Sequence, residues 1–187
     1  WIENAHELRL TPWHNDPVSD TAGEAFYLRD EESGRFWSPM PLPSRGKSSY
    51  ITKHGFGYSV FEYSEDGIRS EICIYVDIED AIKFIVIKLH NVSGRQRRLS
   101  ATGYVEWVLG DLRSKNLMHV ITETDPASGA VFARNSYNKE FENRVAFFEA
   151  DETNRVYTAD RPDFMCRTEP ILNPNGITSS RQSEKTW

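Results

Sequence analysis

An all-β fold, an antiparallel sandwich, follows from three features of the sequence. Apolar and polar residues alternate along short stretches, as they do in strands with one buried and one solvated face. Turn signals rich in Gly, Pro and Asp separate these stretches at intervals of roughly 8–12 residues. No window carries the 3.6-residue apolar period of a helix. The chain has 187 residues, 39% of them hydrophobic and 12% aromatic, which suits one globular domain and is too apolar for disorder.

Residues 24–29 (Glu-Ala-Phe-Tyr-Leu-Arg) open the strand series. Asp30 to Gly34 make a turn, and Arg35-Phe36-Trp37 return as the second arm of a hairpin. Three prolines at alternate positions, Pro39, Pro41 and Pro43, make 38–49 extended and irregular. His54-Gly55-Phe56-Gly57 reads as a bulge at a strand start. Residues 58–63 lead through Glu65-Asp66-Gly67 into 68–78. There Ile68, Ser70, Ile72, Ile74, Val76 and Ile78 share one face, and Arg69, Glu71, Cys73, Tyr75 and Asp77 the other.

Residues 82–91 are apolar on both faces, as expected of a central strand covered on both sides. After the Ser93-Gly94 turn, Leu99, Ala101, Gly103, Val105, Trp107 and Leu109 form a further alternating inner face, with Trp107 in the core. Strands are then expected at 118–125, 130–134, 144–150 and 155–158, with a turn at 126–129. The sandwich is assigned to residues 1–175, and 176–187, polar and aperiodic, to a flexible tail.

A net charge of −6 argues against a nucleic-acid partner, which calls for a basic face. The cluster Arg95-Gln96-Arg97-Arg98 reads as a solvated hairpin end. No apolar run approaches the roughly 20 residues of a membrane-spanning helix, so direct membrane insertion is not expected. Cys73 and Cys166 lack metal or disulfide spacing, and a reduced Cys73 fits a cytoplasmic setting. The chain starts at Trp1 with neither an initiator Met nor a signal peptide, as an excised piece of a longer protein would.

Residues 11–20 (Thr-Pro-Trp-His-Asn-Asp-Pro-Val-Ser-Asp) concentrate groups that hydrogen-bond and stack. Pro12 and Pro17 bar a helix or central strand, so the stretch is a surface loop suited to facing a sugar. An indole stacks on the C–H face of a sugar while amides and carboxylates bind its hydroxyls. The carbohydrate-binding candidates are Trp13, His14, Asn15, Asp16, Asp20 and Trp37. For each Trp the alternative is packing beneath its own loop.

His6, His14, Asp16 and Asp20 match no metal-ligand spacing, and no metal is expected. Asp16 and Asp20 could form the carboxylate pair of a glycosidase, but loop aspartates more often cap turns. Neither a nucleophile elbow nor a phosphate-binding loop is present.

The run Glu-Asn-Ala-His-Glu-Leu-Arg-Leu-Thr-Pro-Trp-His-Asn-Asp-Pro-Val-Ser-Asp, from Glu3 to Asp20, resembles the sandwich domain of glycoside hydrolase family ninety-four, formerly glycosyltransferase family thirty-six. Similar matches are Tyr27-Leu28-Arg29-Asp30, Phe36-Trp37-Ser38-Pro39, His54 to Ser59, and the hairpin Leu89 to Tyr104. The family groups cyclic β-1,2-glucan synthases with cellobiose and chitobiose phosphorylases. The resemblance runs over residues 1–174 and implies a galactose mutarotase-like antiparallel β-supersandwich. In the family this domain precedes a helical linker and an (α/α)₆ barrel carrying the general-acid Asp and the phosphate site.

Inverting phosphorolysis needs only that one protein carboxylate, since phosphate replaces the base-activated water. The resemblance therefore implies no catalytic residue and no cofactor in this chain. Its implied partners are the barrel of the parent polypeptide, a β-glucan oligosaccharide and a second copy in a homodimer. Its implied setting is the cytoplasmic, soluble portion of an inner-membrane-anchored parent. Family sandwiches carry strands ahead of the position of Trp1, so the sheet is expected to be incomplete at its N-terminal edge. The rival expectation is a purely structural or assembly domain that touches no sugar.

Overall fold

The computed structural model describes residues 2–13, 15, 23–152, 154–159, 161–164, 171 and 174–178. It is all-β, and the described chain divides into two units. One unit comprises Ala25–Tyr104 with Pro162–Arg181, the other Ile2–Glu24 with Val105–Arg161.

The first unit holds β1 (Glu24–Asp30), β2 (Phe36–Trp37), β3 (Ile51–Gly55), β4 (Tyr58–Glu65), β5 (Ile68–Val76), β6 (Lys83–Asn91) and β7 (Leu99–Val105). They form a sheet of order β2-β1-β7 and a second of order β3-β4-β5-β6. The second is antiparallel throughout, and β1 pairs antiparallel with β2. Asp66 and Gly67, at φ 51° and 75°, close the β4–β5 hairpin. A two-residue hairpin turn wants positive φ at both positions, which is why Asp-Gly serves here. Gly67 has a second reason to be glycine: a Cβ there would meet Ser93 at 2.7 Å.

The alternation predicted for β5 is what buries the core. Ile68, Ser70 and Ile72 are 1%, 4% and 0% exposed on its inner face, and Arg69 faces solvent. Ile68 and Tyr63 pack against Leu28 and Trp37, with Tyr50 and Leu99 alongside. Each fully buried aliphatic or aromatic side chain here contributes about 1.5–3 kcal/mol. A second cluster joins Ala25, Tyr27 and Tyr104 to Ile177, with Phe36, Phe164 and Ile171 against it.

Among the described residues of this unit one charged pair is buried. The Arg97 and Asp30 side chains are 3% and 1% exposed, with Nη2 donating to Oδ2 at 2.8 Å. Asp30 also accepts the Glu32 N–H and the Ser33 hydroxyl, while Arg97 Nη1 donates to the Asp66 carbonyl at 2.7 Å. Burial by itself would raise the Asp30 pKa. The Ser33, Glu32 and Arg97 donors outweigh it and hold the carboxyl below its ordinary 3.8. Arg97 is thus a structural residue, whereas Arg95 makes the exposed pair with Glu32 expected of a solvated hairpin end.

The second unit holds α1 (Arg113–Asn116) and an antiparallel sheet of β8 (Val120–Thr124), β9 (Val131–Asn135) and β10 (Val145–Phe148), ordered β10-β9-β8. Its core is Leu8, Leu109, Ala133 and Phe141, with Trp107 partly buried against them. Two further helical turns follow in the chain, α2 (Arg161–Phe164) and α3 (Asn175–Thr178), the latter part of the first unit. Among the described residues no helix is long and apolar enough to cross a membrane.

Several elements depart from expectation. Ile51–Gly55 is a full strand, β3, paired with β4 through a turn at Phe56-Gly57 with Gly57 at φ 80°. Strand β6 is not central: among the described residues it ends its sheet, leaving Phe84, Val86 and Leu89 39%, 39% and 41% exposed. In β7 the expected inner face holds only in part: Leu99 packs against the core, but Ala101 and Gly103 are exposed, and the one buried side chain, Tyr104, is on the opposite face. Residues 155–158 form no strand. Ile177, placed in the tail on sequence, is 3% exposed in the first unit's core, so packed chain extends past 175. Residues 179–187 lie outside the described residues.

Asp30→Ala strands a buried guanidinium and is expected to lower the unfolding free energy by about 3–5 kcal/mol in urea titration. Arg35→Ala, which removes only half-exposed pairs to Glu65 and Asp66, is expected to cost under about 1 kcal/mol. Because the Asp30 pKa is depressed on folding, its contribution is complete above the ordinary 3.8 and fades as pH falls through the lower folded value. Urea midpoints should therefore fall below about pH 4, and this part of the acid sensitivity should be absent from Asp30→Ala.

Candidate functional site

In the second unit the lead-in to the polar loop is held by backbone pairing. Arg9 N–H donates to the Gly110 carbonyl at 3.0 Å, Gly110 N–H returns to Arg9, and Val108 N–H donates to Leu10 at 2.8 Å. Leu8, 6% exposed, anchors the segment in the core. The chain closes behind the loop where Glu106 N–H reaches the Gly23 carbonyl at 2.8 Å. Only glycine fits there, since a Cβ on Gly23 would lie 2.6 Å from the Thr11 Cβ and 2.9 Å from the Pro12 Cδ.

This frame projects Trp13, which is 62% exposed. The Arg9 guanidinium lies 5.4 Å from the indole centroid, a cation–π contact, and Arg9 Nη1 donates to the Asp111 carbonyl at 3.1 Å. Trp13 lines a cavity of about 330 Å³ with Arg9, Glu106, Asp111, Arg113 and Arg161. Glu106 accepts Arg113 Nε and lies 3.6 Å from Arg161 Nε. An indole beside guanidiniums and carboxylates offers a stacking surface with donors and acceptors of fixed direction, the equipment for a polyhydroxylated ligand.

The wall of this cavity rests on a strained turn. Leu109 is 3% exposed yet has φ 47°, in the left-handed region. Its carbonyl accepts Asn135 Nδ2 at 3.1 Å and Asn138 Nδ2 at 3.2 Å. Asn135, 2% exposed, also donates to Asn116 Oδ1 at 2.8 Å. Asn116 Nδ2 then donates to Asp111 Oδ1 at 2.9 Å and to the Leu112 carbonyl. Lys115, Asn116 and the Leu112 N–H, in that order, hold the Asp111 carboxyl far below its ordinary range. Asp111 is therefore a permanent acceptor at neutral pH.

Of the sequence candidates, Trp13 stands in this cavity and Asn15 is exposed. His14, Asp16 and Asp20 lie outside the described residues. Trp37 belongs to the other unit and is 3% exposed against Leu28, Tyr63 and Ile68. Packing claims its indole, and no face is left for a sugar. Sequence reasoning missed Arg9, Glu106, Arg113 and Arg161, which come from three separated segments that no spacing pattern links. Among the described residues no group of three or more His, Cys, Asp or Glu could hold a metal ion.

The family model "Glycosyl hydrolase 94, supersandwich domain" matches residues 1–187. Over 183 residues the chain is 36% identical to the cyclic beta-(1,2)-glucan synthase NdvB of Rhizobium meliloti, covering 97% of this chain and 6% of that protein. It is 27% identical over 186 residues to N,N'-diacetylchitobiose phosphorylase of Vibrio furnissii, covering 94% of this chain and 23% of that one. A solabiose phosphorylase of Paenibacillus borealis is 35% identical over 85 residues, 45% of this chain and 11% of its own. The chain thus spans less than a quarter of the length of each of these relatives. With a family model matched along its whole length and an all-β fold, this chain belongs to the glycosyl hydrolase 94 supersandwich domain family.

Proposed function

We propose that this chain is the non-catalytic supersandwich domain of a β-1,2-glucan synthase or glycoside phosphorylase. In this reading it supports the catalytic (α/α)₆ barrel of its parent polypeptide and shapes the carbohydrate cleft with the loop around Trp13. The observation that carries it is Trp13 itself, an indole 62% exposed and steadied by Arg9 at the mouth of a polar cavity. Among the described residues, Trp13 differs from the other exposed aromatic side chains in standing against the Arg9 guanidinium beside a polar cavity. His14, Asn15, Asp16 and Asp20 follow Trp13 in the sequence and would supply hydroxyl contacts. Chemistry falls to the barrel, and the parent's sandwich portion lies in the cytoplasm.

A second reading, assembly with another copy, is favoured by one feature. Strand β6 leaves Phe84, Val86 and Leu89 open, and Tyr58 and Tyr75 on the same sheet are 49% and 36% exposed. Such an edge is a template for pairing with another chain.

Titrating β-1,2-gluco-oligosaccharides should change the Trp emission of the chain, and Trp13→Ala should abolish that change while unfolding free energy moves by less than about 0.5 kcal/mol. Emission unchanged at millimolar sugar would remove the cleft role. Light scattering separates the readings: a concentration-dependent dimer that Val86→Lys dissociates is the outcome assembly requires, and a monomer at all concentrations refutes it.

A further inference from the structure

A second hollow in the same unit, of about 440 Å³, opens beside α1 and is lined by Glu7, Lys115, Tyr137, Asn138, Lys139 and Glu140. Its volume falls within the roughly 300–1,000 Å³ of small-molecule sites. Tyr137 is 53% exposed, yet it is not loose. Its ring stacks on His119 with centroids 4.1 Å apart and planes 10° from parallel. Its N–H donates to Asn135 Oδ1 at 3.1 Å, and His119 N–H donates to the Asn116 carbonyl at 2.9 Å. One ring face is therefore occupied and the other is held open as a platform.

The polar rim is equally set. Asn138 spends its amide hydrogens on the Glu7 carbonyl at 2.9 Å and the Leu109 carbonyl at 3.2 Å. Its Oδ1 accepts no hydrogen bond from the described residues and is left for a ligand donor. Lys115 and Lys139 are each tied through one contact, to Asp111 and Glu142, both at 3.0 Å, and retain further N–H donors. Glu7 and Glu140 add acceptors. Charges of both signs on the rim favour neither a strong anion nor a strong cation, and the mixed donors and acceptors around an open ring suit hydroxyls. Because the Asn135–Asn116–Asp111 network fixes the rim in advance, little ordering remains to be done on binding.

We propose that this hollow is a second carbohydrate-binding site, separate from the Trp13 cavity and taking a short neutral oligosaccharide with one pyranose face on Tyr137. It rests on the function proposed above only for the choice of a β-1,2-linked glucan as probe. A second foothold of this kind would hold one stretch of a long glucan while another occupies the first cavity, raising effective concentration without tighter contacts.

The test uses the 187-residue chain carrying Trp13→Ala, so that the first cavity is silent. A short linear β-1,2-glucan is added while backbone amide shifts are followed. Saturable movement of the amides of residues 137–140 and His119 is expected. Tyr137→Ala should weaken that binding roughly tenfold, the effect of losing an aromatic platform. Tyr137→Phe, which keeps the ring, should retain most of the affinity. Still amides at 137–140 up to millimolar glucan overturn the proposal, as does a Tyr137→Ala chain with unchanged affinity and native amide dispersion. Failure of the cleft reading is seen separately, in the Trp emission of the chain with Trp13 intact.

Discussion

The first unit depends on one buried carboxylate. Asp30 collects the Glu32 N–H, the Ser33 hydroxyl and the Arg97 guanidinium, and Arg97 passes the tie on to the Asp66 carbonyl. Three turns, those after β1, between β4 and β5, and before β7, are thereby fixed to one another at one end of the two sheets. Taking two charges out of water is costly, and the cost is recovered only when the remaining hydrogen-bonding positions are filled. Here they nearly are. Ile68, Ile72 and Trp37, all buried, lie on strands that run from these turns.

The second unit solves a comparable problem with neutral groups. Buried Asn135 donates to Asn116, and between them the two hold the turn at Leu109–Asp111, which lies outside any named helix or strand. That turn forms a wall of the Trp13 cavity on one side and of the Tyr137 hollow on the other, since Asp111 lines both. The two proposed sugar contacts therefore share a foundation. Sites of this kind work when the supporting shell is rigid, and here the shell is made of fully used amides.

How much of this could be read from the chain alone varies with how local the signal is. The β4–β5 hairpin was legible because Asp66-Gly67 demands one turn and the flanking alternation demands one buried face. Strand β3 was not, because all five of its residues are exposed and alternation then has nothing to report. Strand β6 misled for the complementary reason: apolar residues on both faces imply cover on both faces, and at the end of its sheet that cover is missing. In β7 Leu99 keeps to the expected inner face, but the small Ala101 and Gly103 are exposed there, and the bulky Tyr104 is buried on the other. Trp13 was singled out because it stands in a contiguous polar stretch of sequence. Its neighbours Arg9, Glu106 and Arg113 were not, because only the folded backbone pairing of residues 9–10 with 108–110, and of Gly23 with Glu106, brings them together.

Leu109 carries a consequence for how this domain can vary. Its backbone sits where glycine is most at ease, yet its side chain fills the second unit's core beside Leu8, Ala133 and Phe141. Glycine would relax the main chain and leave a void. Valine or isoleucine would fill space but resist the left-handed conformation more strongly than leucine does. Asparagine would tolerate the dihedral and bring an unsatisfied amide into oil. The position is thus a crossing of two incompatible preferences, and sequence drift at this core turn, two residues before the Asp111 that lines both cavities, is confined to unbranched-at-Cβ apolar side chains.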